Sequence, residues 1–189
     1  MRREHMNATP AMDRWKNRQL RAAEFALASG DAVHAAQHAE LLIADDPAHL
    51  PALEILAKAL WQIGDLPRLT ALLDCMIRLN PYEPGYFALL GAAHQSLGRI
   101  GAAISAFGRS LVLDGGKDPS VAEMLVDLRR FQAGLIEGLL ADDATFRGAY
   151  RQDPVAACRA RGFEIDPPEV DLSVLSQSRK ASFLAARPS

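Results

Sequence analysis

Residues 84–114 read PGYFALLGAAHQSLGRIGAAISAFGRSLVLD. Apolar residues recur at helical spacing on both sides of Gly98, with Phe87, Leu90, Gly91 and His94 before it and Ala103, Phe107 and Ser110 after it. The stretch predicts two apolar-faced helices joined by a tight turn. One such hairpin leaves a face uncovered, so its neighbours should be built the same way.

They are. Gly30, Gly64 and Gly98 are 34 residues apart, and so are Pro47 and Pro81. Ala35, Leu69 and Ala103 keep that interval, as do Ala39, Leu73 and Phe107, Ala22, Leu56 and Leu90, and Ala23, Ala57 and Gly91. Each position has a physical reason. The small residue at 23, 57 and 91 lets a paired helix approach, and Ala35 and Ala103 face it across the hairpin, with Leu69 the exception in the middle unit. The glycines permit the left-handed conformation that ends the first helix. Asp31 and Asp65 follow two of them as N-caps of the second helix, and the prolines close the unit.

Composition agrees. Of 189 residues 49% are hydrophobic, only 6% are aromatic, and Ala and Leu dominate, which favours helices over strands. A net charge of −2 argues against a nucleic-acid partner, which would call for a basic face. No apolar run is long enough to span a membrane, and the basic start MRREHMNATPAMDRW is not followed by the apolar stretch of a secretory signal. The expectation is a cytoplasmic protein. Cys75 and Cys158 lie in no metal-ligand spacing. Cys75, within LLDCMI, reads as a small core residue, and Cys158 as an inert thiol even though Arg159 and Arg161 beside it would favour a thiolate.

The three units, 16–49, 50–83 and 84–117, resemble the tetratricopeptide repeat. The third carries the pattern best, as Phe87-x2-Leu90-Gly91-x2-His94 followed by Ala103-x3-Phe107. The first is degenerate, with Gln19 at a position usually held by a large apolar residue and Trp15 nearby to cover the open end. The resemblance implies an all-α fold: a right-handed superhelical array of three helix-turn-helix repeats. After it, Gly115-Gly116 replaces the expected proline, and Asp118-Pro119 opens one long amphipathic helix through 140 that caps the array. Gly134 and Gly138 in that helix read as close packing sites or as the onset of fraying. Residues 1–12 form a flexible arm, 13–140 the repeats and capping helix, 141–172 a small helical lobe, and 173–189 a polar tail.

Such repeats are chiefly protein-binding scaffolds, so the resemblance implies another protein or a peptide as partner, held in a groove lined by the first helix of each unit. In this register the lining is Asn17, Leu20, Glu24 and Leu27, then Glu54, Lys58, Trp61 and Gln62, then Ala88, Ala92, Gln95 and Ser96. Trp61 suits a binding anchor, and equally suits packing against the next repeat. Some members of the family grip a partner's terminal carboxylate with lysine and asparagine. Leu20, Glu24, Ile55, Gly85 and Leu89 hold those places, so the positive clamp is absent.

No nucleophile elbow, phosphate loop or dinucleotide fingerprint occurs, and the carboxylate pairs Asp45-Asp46 and Asp142-Asp143 sit at helix boundaries, where capping explains them. His34 and His38, four apart on one helix, could present two imidazoles to a metal, but the spacing fits an exposed face and no carboxylate partner is obvious there. The expectation is no catalytic residue, no metal and no cofactor; the oligomeric state is left open.

A fainter resemblance lies in the C-terminal lobe, where Phe146, Arg147, Tyr150, Arg151, Asp153, Pro154, Gly162 and Phe163 are spaced as in the nitrile-hydratase-related helical leader peptides of ribosomally made natural products. It implies the alternative function, a segment docked by a peptide-modifying enzyme, with Ser173–Ser189 as the modified or cleaved tail.

Overall fold

A computed structural model describes residues 10–165. The regular structure among those residues is α-helical, and they fall in two compact units, one ending at Leu97 and the other beginning at Gly98. The division falls on the turn glycine of the third hairpin, so that hairpin's two helices belong to different units. No helix among the described residues is long and apolar enough to cross a membrane.

The first unit contains α1 (Pro10–Ala28), α2 (Ala32–Asp45), α3 (Leu50–Ile63), α4 (Leu66–Leu79) and α5 (Pro84–Ser96). The 34-residue register becomes burial. Ala23 and Ala57 have almost no exposed surface and sit where consecutive helices press together, as do Ala35, Ala39, Leu69 and Leu73 on the second helices. Gly64 adopts φ +82°, and its N–H donates to the carbonyls of Leu60 and Trp61, closing α3 in the left-handed conformation that glycine takes without strain. Asp31 and Asp65 cap α2 and α4 through the N–H groups of His34 and Arg68. Their side chains each satisfy one of the donors that a helix N-terminus leaves without a partner.

Two details depart from expectation. Helix α1 begins at Pro10, three residues before Asp13, because proline at the first helical position loses no hydrogen bond and carries a helical φ already. The remainder of the expected arm, residues 1–9, lies outside the described residues. Gln19, the degenerate position of the first unit, replaces apolar packing by a hydrogen bond: its Oε1 lies 2.7 Å from Nδ1 of His38 on α2. Lys16 and Asp45, 2.6 Å apart, join the same two helices, and Asp45 holds the Lys16 ammonium above its ordinary pKa.

The second unit contains α6 (Ile100–Asp114), α7 (Pro119–Asp142), α8 (Ala144–Gln152) and α9 (Pro154–Ala160). Helix α7 packs on α6 through Val121, Leu125 and Leu128, and α8 and α9 fold onto its C-terminal end. There Ile136, Phe146, Tyr150, Ala157, Cys158 and Ile165 form a core, with Leu139, Leu140 and Phe163 against it. The lobe is therefore no separate body; it shares its core with α7. Arg147 donates to the carbonyls of Leu140 and Ala141, 2.7 Å each, and so closes the end of α7. Arg161 pairs with Asp143 at 2.6 Å and lies over the Phe146 ring, 5.7 Å from its centre.

Beyond α9 the chain crosses back in an extended stretch. Gln132 of α7, itself buried, donates to the Glu164 carbonyl at 2.7 Å and accepts from the Glu164 N–H at 3.0 Å, a two-bond clasp on one residue's backbone. Gly101 makes the crossing possible, since a Cβ there would stand 2.3 Å from the Gly162 carbonyl oxygen and 2.7 Å from the Glu164 nitrogen. Gly134 and Gly138 overturn their sequence reading. Both are exposed with nothing within 4 Å of an added Cβ, and the helix continues regularly to Asp142. Neither is a packing site within this chain, neither marks fraying, and each costs the helix about 1 kcal/mol relative to alanine. The expected tail, 173–189, and the end of the expected lobe lie outside the described residues.

Candidate partner-binding groove

The first helices of the units, α1, α3 and α5, are neighbours in the first unit. Helix α1 packs on α3, and Tyr86 of α5 donates its hydroxyl to Glu54 of α3 at 2.9 Å. The sequence-derived lining falls on one face of each helix, at intervals of three, four and seven. On α1, Asn17 and Glu24 are exposed while Leu20 and Leu27 are half-buried. On α3, Glu54, Lys58, Trp61 and Gln62 are exposed; on α5, Ala88 and Ala92 are half-buried and Gln95 and Ser96 exposed.

These positions are not equivalent. Tyr86 is buried, and burial together with the Glu54 carboxylate pushes its phenol up to about 12. Glu54 is therefore engaged in holding α3 to α5, a role its place in the groove face did not reveal. Tyr86 is the more buried of the pair it forms with Phe87, although Phe87 is the one that fits the repeat pattern. Trp61 keeps 40% of its surface exposed, so the residue is partly packed and partly open. Lys58, one turn before it, has no ion-pair partner among the described residues. The face that remains open on α3 is thus Lys58, Trp61 and Gln62, one cation, one aromatic edge and one amide. A separate depression of about 510 Å³ follows α1, lined by Ala11, Arg14, Asn17, Arg18 and Arg21. The arginines recur at intervals of four and three, a signal present in the sequence that the groove register passes over.

The fold is that of tetratricopeptide-repeat proteins. No family profile and no curated protein matches the sequence, but solved structures do. The chain superposes with a TM-score of 0.59 on the first tetratricopeptide domain of Spaghetti (RPAP3), whose structure was solved with the HSP90 peptide SRMEEVD, at 15% identity over 64% of this chain and 94% of that one. The tetratricopeptide domain of Sgt2 from Aspergillus fumigatus gives 0.55 at 18% identity, covering 68% of this chain and 83% of that one. A thermophilic tetratricopeptide-repeat protein of Thermus thermophilus, TTC0263, gives 0.52 at 21% identity, covering 78% of this chain and 79% of that one. The all-α repeat reading stands, with the 34-residue register as its cause.

The other candidates resolve into structural roles. His34 and His38 do not converge: His34 pairs with Asp31 at 2.6 Å, the carboxylate partner that sequence reading overlooked, and His38 turns to Gln19. His94 is half-buried, and Cys75 is half-buried where a core position was expected. Cys158 is fully buried, and burial pushes its thiol up to about 11, the opposite of the effect expected from its arginine neighbours. Helix α9 turns Arg159 and Arg161 outward, where Arg161 serves Asp143.

Most of the leader-like residues likewise have work inside the second unit. Phe146 and Tyr150 are core, their ring centres 5.8 Å apart, and Arg147 closes α7. Asp153 caps α9, Pro154 opens it, and Gly162 takes φ +76° at the turn into half-buried Phe163. Arg151 alone of the eight faces solvent without such a role. The aromatic residues that a docking helix would present are turned inward.

Proposed function

We propose that the chain is a non-enzymatic scaffold that binds a protein or peptide on the face formed by α1, α3 and α5. The observation that carries this reading is the open surface of α3, where Trp61 leaves part of its indole uncovered between Lys58 and Gln62. An exposed tryptophan flanked by an uncompensated cation and an amide suits an anchor pocket with polar orientation at its rim. The repeat fold supports the same reading, since one solved structure sharing it holds a peptide. That peptide, SRMEEVD, carries acidic residues near its end. In this chain the corresponding clamp positions carry Leu20, Glu24, Ile55, Gly85 and Leu89, which favours an internal segment or helix over a terminal carboxylate.

The test is a peptide-display selection against the full chain, repeated with Trp61→Ala combined with Lys58→Ala. Lys58 is exposed and Trp61 keeps 40% of its surface exposed, and far-UV circular dichroism verifies that the variant folds. Peptides enriched by the wild type are expected to lose binding to the variant. Undiminished binding would place recognition elsewhere.

A further inference from the structure

Helix α7 carries a second open surface, in the other unit, that nothing in the proposed groove uses. Phe131 keeps 55% of its surface exposed and Leu135 keeps 39%, one turn apart on the flank beside the buried seam of Leu128, Gln132 and Ile136. Gly134 and Gly138 run alongside them at the same interval of four, each with open space where a side chain would stand. The chain thus accepts two unfavourable helix residues in the middle of its longest helix and shows no contact that needs them. An aromatic and an aliphatic side chain standing proud beside a shallow strip is a knob-and-hole pair on one surface.

Such a surface is self-complementary. We propose that α7 pairs antiparallel with α7 of a second copy of this chain, about a two-fold axis at the level of Ala133 and Gly134. This places residue 131 of one copy opposite residue 136 of the other, so that Phe131 enters the strip at Gly134 and Gly138 and Leu135 abuts the ring of the second copy. Charge selects this register. The same axis sets Arg130 opposite Glu137 of the second copy, twice over by symmetry. Both side chains are exposed. Arg130 has only the surface pair with Asp127 on its own helix, 3.1 Å away, and Glu137 has no ion-pair partner among the described residues. A parallel pairing in register sets Arg130 level with Arg130 of the second copy and brings no such opposite-charge pair.

Sedimentation equilibrium of the full chain over a micromolar-to-millimolar range tests this. The expected result is a reversible dimer. Phe131→Ala is expected to weaken it by about tenfold or more without altering the circular dichroism, since the ring is exposed. Arg130→Glu and Glu137→Arg are each expected to weaken association, and the two together to restore it, because the swapped pair again faces opposite charge. A chain monomeric at every concentration overturns the proposal, whether residues beyond 165 or a different protein covers α7. A dimer indifferent to Phe131→Ala overturns it too, and charge reversals that add without rescue overturn the antiparallel register.

Discussion

Gly101→Ala and Gly134→Ala make the same chemical change in two helices, and the structure gives them opposite signs. At Gly134 the new methyl meets nothing of its own chain within 4 Å, so for the fold of the single chain the change brings only a gain in helix propensity of about 1 kcal/mol. At Gly101 the methyl would overlap backbone atoms of Gly162, Phe163 and Glu164, at 2.3–3.0 Å. Backbone cannot rotate away as the end of a flexible side chain can, so the crossing segment must lift. Lifting breaks the two hydrogen bonds between Gln132 and Glu164, worth about 1 kcal/mol each. It also draws Ile165 from the core it shares with Ile136 and Cys158, which costs about 2 kcal/mol. Against these stands the same propensity gain of about 1 kcal/mol, which leaves Gly101→Ala destabilised by about 3 kcal/mol. Urea unfolding followed by far-UV circular dichroism measures this, with an expected midpoint shift of roughly 1–2 M downward. Tryptophan fluorescence is unsuited, since Trp15 and Trp61 both lie in the other unit. Hydrogen exchange localises the effect: the Glu164 amide loses protection in Gly101→Ala and keeps it in Gly134→Ala. A Gly101→Ala chain as stable as the wild type, with Glu164 still protected, would refute the reasoning.

Three further outcomes follow from charge and burial. Alkaline spectrophotometric titration should find one tyrosine ionising near pH 12 and absent in Tyr86→Phe. Because that folded pKa lies above the unfolded value of about 10, the contribution to stability is complete below about pH 10 and is lost as pH rises toward 12. A thiol reagent at about pH 8 should modify half-buried Cys75 well before Cys158, whose burial and raised pKa delay reaction until the second unit unfolds; equal rates would contradict its placement. Asp143 lies below its ordinary pKa because the Phe146 N–H and then Arg161 favour its carboxylate. Its contribution is present above about pH 4 and is lost as pH falls through the lower folded value, so Asp143→Asn, which still caps α8, should flatten stability across that acid range in urea titrations.

What the sequence made legible was whatever the 34-residue interval repeats. Ala23 and Ala57, Ala35, Leu69 and Ala103, and Leu73 and Phe107 are buried in register, and the caps Asp31 and Asp65 act where the turn glycines place them. Local periodicity specifies these, because each unit solves the same packing problem. Contacts that no unit repeats stayed hidden. Gly101 meets Gly162, and Gln132 clasps Glu164, across separations that no local pattern encodes. Cys158 is inert as its sequence reading has it, but for a reason that reading did not contain: it is buried, and its arginine neighbours in sequence are turned outward. Gly134 and Gly138 were misjudged: a glycine inside a helix usually signals a close neighbour, and theirs is open space.

The groove is narrower than the repeat register implies, for a related reason. Register gives every first helix an equal share of the lining, but the helices must also be held to one another. Glu54 does that through Tyr86, and Leu20, Ala88 and Ala92 are already partly covered. On the proposed reading, recognition concentrates on Lys58, Trp61 and Gln62. A face so small binds a single segment weakly. Pairing through α7 would offset this without enlarging it, because two chains present two such faces, and a partner with two segments gains effective concentration from the link. The two open surfaces then divide the work by chemistry. Under the two proposals, the polar face with Trp61 would discriminate among partners, and the α7 face with Gly134 and Gly138 would multiply the binding.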